Sequence, residues 1–356
     1  MSRRRLRVAT RPCPDPPPGP AGRRRRLVIL GICSLSLFIT YVDSTVLNVA
    51  LPTIERDLHT SVEGLQWISD AYLLVLASLL VLSGSVADRV GRRRIFMTGL
   101  LLFGGGSLLC SLAPDAGSLI AFRMVQALGG SMLTPVSLSI VRTVFSDPAE
   151  RARALGIWSA IFGIGVASGP ILGGLLVGAV GWRSVFWVNL PVVAVTWWLA
   201  ARFVPESRSP APRRVDVAGQ VLVVSTLGFS TFAVIEGSSL GWGSPSIVAA
   251  FAAGAASLVA LLVLEGRLRQ PLLELRFFRS PPFTAANAIA VGSFLVMSGF
   301  LFVNTLYLQE VRGFSPILAG LALLPATALI ATTAPIGGRL VARHGPRDPT
   351  PRGWSR

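Results

Sequence analysis

The sequence predicts an all-α, polytopic membrane protein, and three observations carry that fold class. Hydrophobic residues fill 52% of the 356 positions and charged residues only 14%, whereas a soluble domain carries about 25% charged residues. Mean hydropathy is +0.63. The apolar residues are gathered into ten runs, each close to the roughly 20 residues that one bilayer crossing needs. Backbone amides in lipid must be satisfied within the segment, so runs of this length predict helices. A disordered chain, a disulfide-built secreted domain and an ordinary cytosolic enzyme are excluded by the same composition.

Taken in order, residues 1–26 are rich in Arg and Pro, with Arg3 to Arg5, Pro16 to Pro18 and Arg23 to Arg26. They cannot bury a core and predict a disordered tail. Arg23 to Arg26 followed by Leu27 imitates a secretory signal. The apolar stretch runs on to Ala50 without a small-residue cleavage site, so it reads as an uncleaved first helix. The ten segments cover 27–50, 65–87, 95–113, 117–140, 154–180, 184–201, 217–235, 247–264, 284–308 and 317–340.

All 33 basic residues are Arg, and the net charge is +16. With the N-terminus inside, Arg56, Arg183 and Arg312 fall in outer loops and Arg123 falls within a segment. The other 29 lie in the tails, the inner loops or the inner helix ends. This asymmetry is the positive-inside pattern of a membrane protein and does not call for nucleic acid. Cys33 and Cys110 sit inside apolar runs, Cys13 in the tail, and His59 and His344 stand alone in loops. No disulfide framework, metal site, cofactor or catalytic set is implied.

One internal repeat is visible. Gly84-Ser-Val-Ala-Asp88-Arg89-Val-Gly91-Arg92 follows segment 2, and Gly338-Arg-Leu-Val-Ala342-Arg343-His-Gly345-Pro346 ends segment 10, at a constant offset of 254. Segments 2 and 10 then correspond in two repeated halves, as in many transporters. The expected organisation is a complete six-helix bundle over 27–203 and two inserted helices with inner loops over 204–282. The first two helices of a second bundle follow over 283–343, then a tail without helical character over 344–356. On this reading about four helices are missing after segment 10, by the repeat logic. Gly292, Gly299 and Gly320 are then expected to lack close partners.

Charges within a bilayer are functional hypotheses by default. Asp43, Asp70 and Arg123 lie about 10, 8 and 9 Å below the outer boundary at 1.5 Å of rise per residue, in one layer. An Asp–Arg pair at this depth lessens the desolvation cost of both groups. Two readings fit: a carboxyl that takes up a proton when its partner leaves, or a static ion pair that fixes helix register. Asp70 also has the option of reaching the outer surface. Segment 5 carries Gly165, Gly169, Gly173 and Gly174 with Pro170. The small-residue spacing predicts close helix contact and the proline a bend, for packing, for gating or for both. In the loop from Gly84 to Arg94, Gly84 and Gly91 are read as turn positions, with Asp88 pairing Arg89 or Arg92. Glu236 and Glu310 are read as solvated, and Trp182 and Trp187 as an interfacial belt.

These motifs resemble the major facilitator superfamily, specifically the 14-helix drug:proton antiporters of the EmrB/QacA type. The resemblance rests on Gly84-x-x-x-Asp88-Arg89-x-Gly91-Arg92, Asp43-x-Thr45-x-x-Asn48-x-Ala50-Leu51-Pro52, Arg123-x-x-Gln126-x-x-Gly129 and Gly165-x-x-x-Gly169-Pro170-x-x-Gly173-Gly174. Trp182-Arg183 and Phe186 to Pro191 add to it, and it covers residues 27 to about 345. It implies a major facilitator fold in the plasma membrane with a cytoplasmic N-terminus, and export of a lipophilic or cationic small molecule in exchange for protons. Asp43, Asp70 and Arg123 would be the coupling residues, Gly84 to Arg94 an inner-face lock and segment 5 the gating contact. The alternative is a non-transporting remnant or a membrane interaction protein. Neither reading involves an enzyme, a cofactor, a metal or nucleic acid. The expected partners are the small-molecule substrate, protons and the lipid bilayer.

Overall fold

The computed structural model describes residues 20–209, 216–268 and 275–323, together with 325, 326 and 329. The first seven helices are α1 (Pro20–Leu58), α2 (Val62–Val90), α3 (Arg92–Ser111), α4 (Ala116–Val144), α5 (Pro148–Ala179), the short α6 (Ser184–Trp187) and α7 (Asn189–Phe203). Then come α8 (Val217–Leu240), α9 (Pro245–Arg267), α10 (Pro281–Leu306) and α11 (Pro316–Ala322). Among the described residues nine helical stretches are long and apolar enough to cross a membrane, with α6 and α7 together making one. The tenth expected segment lies largely outside the described residues, as do the second copy of the loop motif and the tail from 344.

The chain chemistry explains where the helices begin. Ser61, Asp115, Asp147 and Asp216 each accept a backbone N–H of the following first turn, at 3.3, 2.9, 2.8 and 2.9 Å. These caps satisfy donors that a helix start leaves open. Helix α1 starts at Pro20, so residues 20–26 are helical rather than part of a disordered tail. Their basic side chains have anchors: Arg26 pairs with Glu150 of α5 at 2.8 Å, and Arg25 donates to the Phe203 carbonyl at 3.3 Å.

Helices α1 to α7 form one bundle, in which α1 packs chiefly on α5, α4 on both α2 and α3, and α7 on α1 and α3. One apolar cluster surrounds Ile29, Ile32, Phe96, Leu100 and Ile140 near the N-terminal end of α1. A second surrounds Leu47, Leu51, Ile54, Ile68 and Phe186 toward its other end. The α8–α9 hairpin docks on α2 through polar contacts: Gln220 donates to the Ser78 carbonyl at 2.5 Å and the Trp67 indole to Glu236 at 2.7 Å. Glu236 is therefore an interhelical acceptor and not a solvated residue, because its helix packs against α2; Glu310 is exposed. Trp182 is 2% exposed and packs within the bundle rather than facing lipid, while its indole N–H donates at 2.7 Å to Asp57, an exposed residue at the end of α1. Trp187 is exposed.

Helix α5 uses its glycines on two faces. A Cβ on Gly165 would stand 3.2 Å from the Phe38 carbonyl, and one on Gly173 2.8 Å from the Val46 carbonyl, both on α1. A Cβ on Gly174 would stand 2.6 Å from the Pro316 carbonyl of α11. Gly320 of α11 rests against the Pro170 carbonyl, so it has a close partner; among the described residues Gly292 and Gly299 have none within 4 Å. The α1–α5 seam makes a direct prediction. In Gly169→Val the added carbons meet the Thr45 side chain, whose Cβ lies 2.6 Å from the first of them, and overpacking of this kind costs about 1–3 kcal/mol. The thermal unfolding midpoint in detergent should fall, whereas Gly156→Ala, which faces open space, should leave it in place. Equal midpoints for Gly169→Val and the parent would contradict the tight seam.

Candidate functional site: a buried ion pair beside a cavity

Asp43 on α1 and Arg123 on α4 are each 1% exposed, and Arg123 Nη1 donates to Asp43 Oδ2 at 2.6 Å. Four further helices complete the shell. Gln126 stands one turn from Arg123 on the same face of α4. It accepts from Arg123 Nη1 at 2.8 Å and donates to Asp43 Oδ1 at 2.8 Å and to Ser107 of α3 at 2.7 Å. Asn189 is the first residue of α7, and Val188 before it keeps helical dihedrals and donates to the Ser184 carbonyl at 3.1 Å, so α6 and α7 run on as the one segment the sequence predicts. Its amide donates to Asp43 Oδ1 at 2.7 Å and to Ser107 at 2.9 Å. The Arg123 guanidinium lies 4.1 Å above the Tyr72 ring of α2 and 5.9 Å from the Phe186 ring of α6. Both carboxylate oxygens are satisfied by donors, and the cation has an aromatic face, which together offset desolvation.

Asp43, Arg123 and Asp70 do not form one cluster. Asp70 is partly buried and makes no ion pair among the described residues. It lines a cavity of about 420 Å³ to which Arg123 also contributes. Helices α1, α2, α4, α5 and α10 enclose this space, and its wall includes Tyr41, Tyr72, Phe162, Phe294 and Phe302. The arrangement can therefore hold an apolar or aromatic molecule between Asp70 and the arginine side of the buried pair.

The loop between α2 and α3 is tied down at several points. Asp88 accepts from Arg92 Nε and Nη2 at 2.9 and 2.8 Å, and Arg92 also reaches the Thr143 hydroxyl of α4. Gly91 has φ +133°, a region that favours glycine. Glu206 lies against it, so that a Cβ at position 91 would stand 2.6 Å from its carboxylate. Glu206 also accepts from the Arg93 amide at 3.2 Å, placing a negative charge at the N-terminus of α3. Gly84 is not a turn residue: it lies within α2, facing Pro135 at 3.6 Å. Its use is proximity to α4. Arg89 sits in the last turn of α2.

Sequence reasoning missed Ser107, Asn189 and Glu206 as site-forming residues. The available signal was the polar type of Ser107 and Asn189 inside otherwise apolar runs. A polar side chain in such a run needs a partner, and the charged layer at the same depth supplies one.

A bundle of membrane-spanning helices with a buried ion pair facing a central cavity defines a class, the polytopic membrane transporters. Residues 33–355 match the Major Facilitator Superfamily, and the chain belongs to that family. It is 39% identical over 326 residues to the multidrug resistance protein Stp of Mycobacterium tuberculosis, a match that covers 92% of this chain and 61% of that protein. It is 37% identical over 327 residues to the methylenomycin A resistance protein of Streptomyces coelicolor, covering 91% of this chain and 69% of the relative. The chain thus spans less than two thirds of the length of Stp. Among solved structures, a crystal structure of the peptide transporter POT in complex with sulfate superposes with a TM-score of 0.60, over 90% of this chain and 70% of that one. At 17% identity this is a likeness of fold alone.

Proposed function

We propose that this chain belongs to a proton-coupled exporter of lipophilic or cationic compounds, of the 14-helix EmrB/QacA type, in the plasma membrane. The observation that carries the reading is the fully buried Asp43–Arg123 pair, whose arginine also lines the cavity. Drug-resistance relatives at 37–39% identity support the export part. Asp43 is the proton site. When it takes up a proton, the pair loses its attraction, and Arg123 is free to shift toward the cavity it borders. Asp70 supplies a negative charge on a wall that also carries aromatic rings, which suits a lipophilic cation.

The remaining motif residues hold the frame that must rock. The glycine faces of α5 let it bear on α1 and on α11 at once, which makes it the gating helix. The Gly84, Asp88, Arg89, Gly91 and Arg92 motif locks the inner face, because it fastens α2, α4 and the segment after α7 together. The Arg distribution puts the N-terminus in the cytoplasm. Labelling tests the orientation: a Cys at Ser209 on a Cys-free background should be protected from an impermeant reagent added outside intact cells. Reaction from outside would reverse the topology.

The functional test uses the full reading frame in everted vesicles carrying an imposed pH gradient. Asp43→Asn keeps the shape and one of the two acceptor oxygens but removes the titrating group. Export should fall by about tenfold or more while membrane expression persists. Arg123→Lys should fail in the same way, because an ammonium cannot bond Asp43 and Gln126 while also reaching the Ile68 carbonyl and lying flat on the Tyr72 ring. Asp70→Asn should weaken export of cations more than of neutral compounds. Undiminished pH-driven export by Asp43→Asn would reduce the pair to a structural brace.

A further inference from the structure

We propose that Asn189 is a positioning residue that reports the protonation state of Asp43 by turning its side-chain amide over. This rests on the proton-coupling reading above. Asn189 is fully buried. Its Nδ2 donates to Asp43 Oδ1 at 2.7 Å and to Ser107 Oγ at 2.9 Å, while its Oδ1 is buried with no partner among the described residues. An ionised carboxylate only accepts, so Nδ2 must face Asp43 in this state even though the orphaned oxygen is costly.

Protonation reverses that requirement. One proton from cavity water joins the Asp43 carboxylate, and the new O–H needs an acceptor. Gln126 Oε1 is already engaged by Arg123 Nη1 at 2.8 Å and by the Cys110 thiol at 3.9 Å. Ser107 Oγ accepts from both amides. Among the described residues already bonded to Asp43, the uncommitted acceptor is Asn189 Oδ1, and a half turn of the amide brings it to Asp43 without any change in volume. The Ser107 hydroxyl can then donate to the same oxygen. Arg123 keeps its charge and gives up Oδ2 toward the cavity.

The titratable and charged groups around Asp43 are Arg123 from α4, Tyr72 from α2 and Cys110 from α3. The charged residues of α5 lie in its first two turns, and α6 and α10 carry none. Asn189, the first residue of α7, is thus the neutral group placed to respond.

Infrared difference spectroscopy of the purified full chain in lipid, titrated from alkaline to acid pH, tests this. The Asp43 carboxyl band is the one that Asp43→Asn abolishes. In the parent it should lie at the lowered frequency of a carboxyl whose O–H is donated to an amide. In Asn189→Leu, similar in size but without an acceptor, it should move to higher frequency. If that variant does not elute as a single species, Asn189→Ala takes its place, and its band must likewise leave the parent position. A band that stays put in the folded variant overturns the amide turn and leaves the coupling reading standing. The absence of any titrating band sensitive to Asp43→Asn removes both.

Discussion

The buried contact between Asp43 and Arg123 is the constraint on which the rest of the bundle depends. Both charges are buried, so their oxygens and guanidinium faces must find partners in the protein. The answer comes from separate helices: Gln126 beside the arginine, Ser107 from α3, Asn189 from α7 and the Tyr72 ring from α2. Removing one member leaves the other uncompensated, an imbalance that costs about 3–5 kcal/mol in buried pairs. The same imbalance makes the pair useful. On the proposed coupling, a proton arriving at Asp43 would do what a mutation does, reversibly and at the edge of a cavity.

A second constraint lies in α5. Its glycines let α1 approach on one face and α11 on the other, with carbonyls of both neighbours where side chains would otherwise stand. Backbone contact of this kind has few intermediate positions, because a packed seam is either seated or parted. The polar shell therefore holds the interior of α1 to α7 in register, while the α5 seam governs how α11 meets that bundle. The cavity lies between these two devices, with α10 forming part of its wall.

The sequence disclosed much of the fold and less of the site. Length and apolar runs sufficed for the helices, since lipid permits few other structures at that length. Depth along a helix is also readable, so Asp43 and Arg123 emerge as neighbours in one layer. Direction around the helix axis is harder. Asp70 shares their depth, but Ile68 and Tyr72 of α2 are the residues that face Arg123, which leaves Asp70 on the cavity wall. Gly84 and Gly91 look alike in a loop motif, yet one serves close helix packing and the other a positive φ. Trp182 and Glu236 pass for surface residues until Asp57 and Trp67 are seen to meet them. Glu206 gave no local signal, because its role depends on a chain segment that returns from more than a hundred positions away.

The central claim is that the Asp43–Arg123 pair exchanges a proton against occupancy of the cavity. Linkage makes this measurable without transport: if a bound cation and a proton oppose each other, binding one must release the other. Tetraphenylphosphonium added to the purified full chain in weakly buffered detergent should displace up to about one proton per bound cation near the pH at which Asp43 titrates. The release should vanish in Asp43→Asn, which still binds the cation. Binding with no proton release at any pH, or release unaltered by Asp43→Asn, would contradict the account.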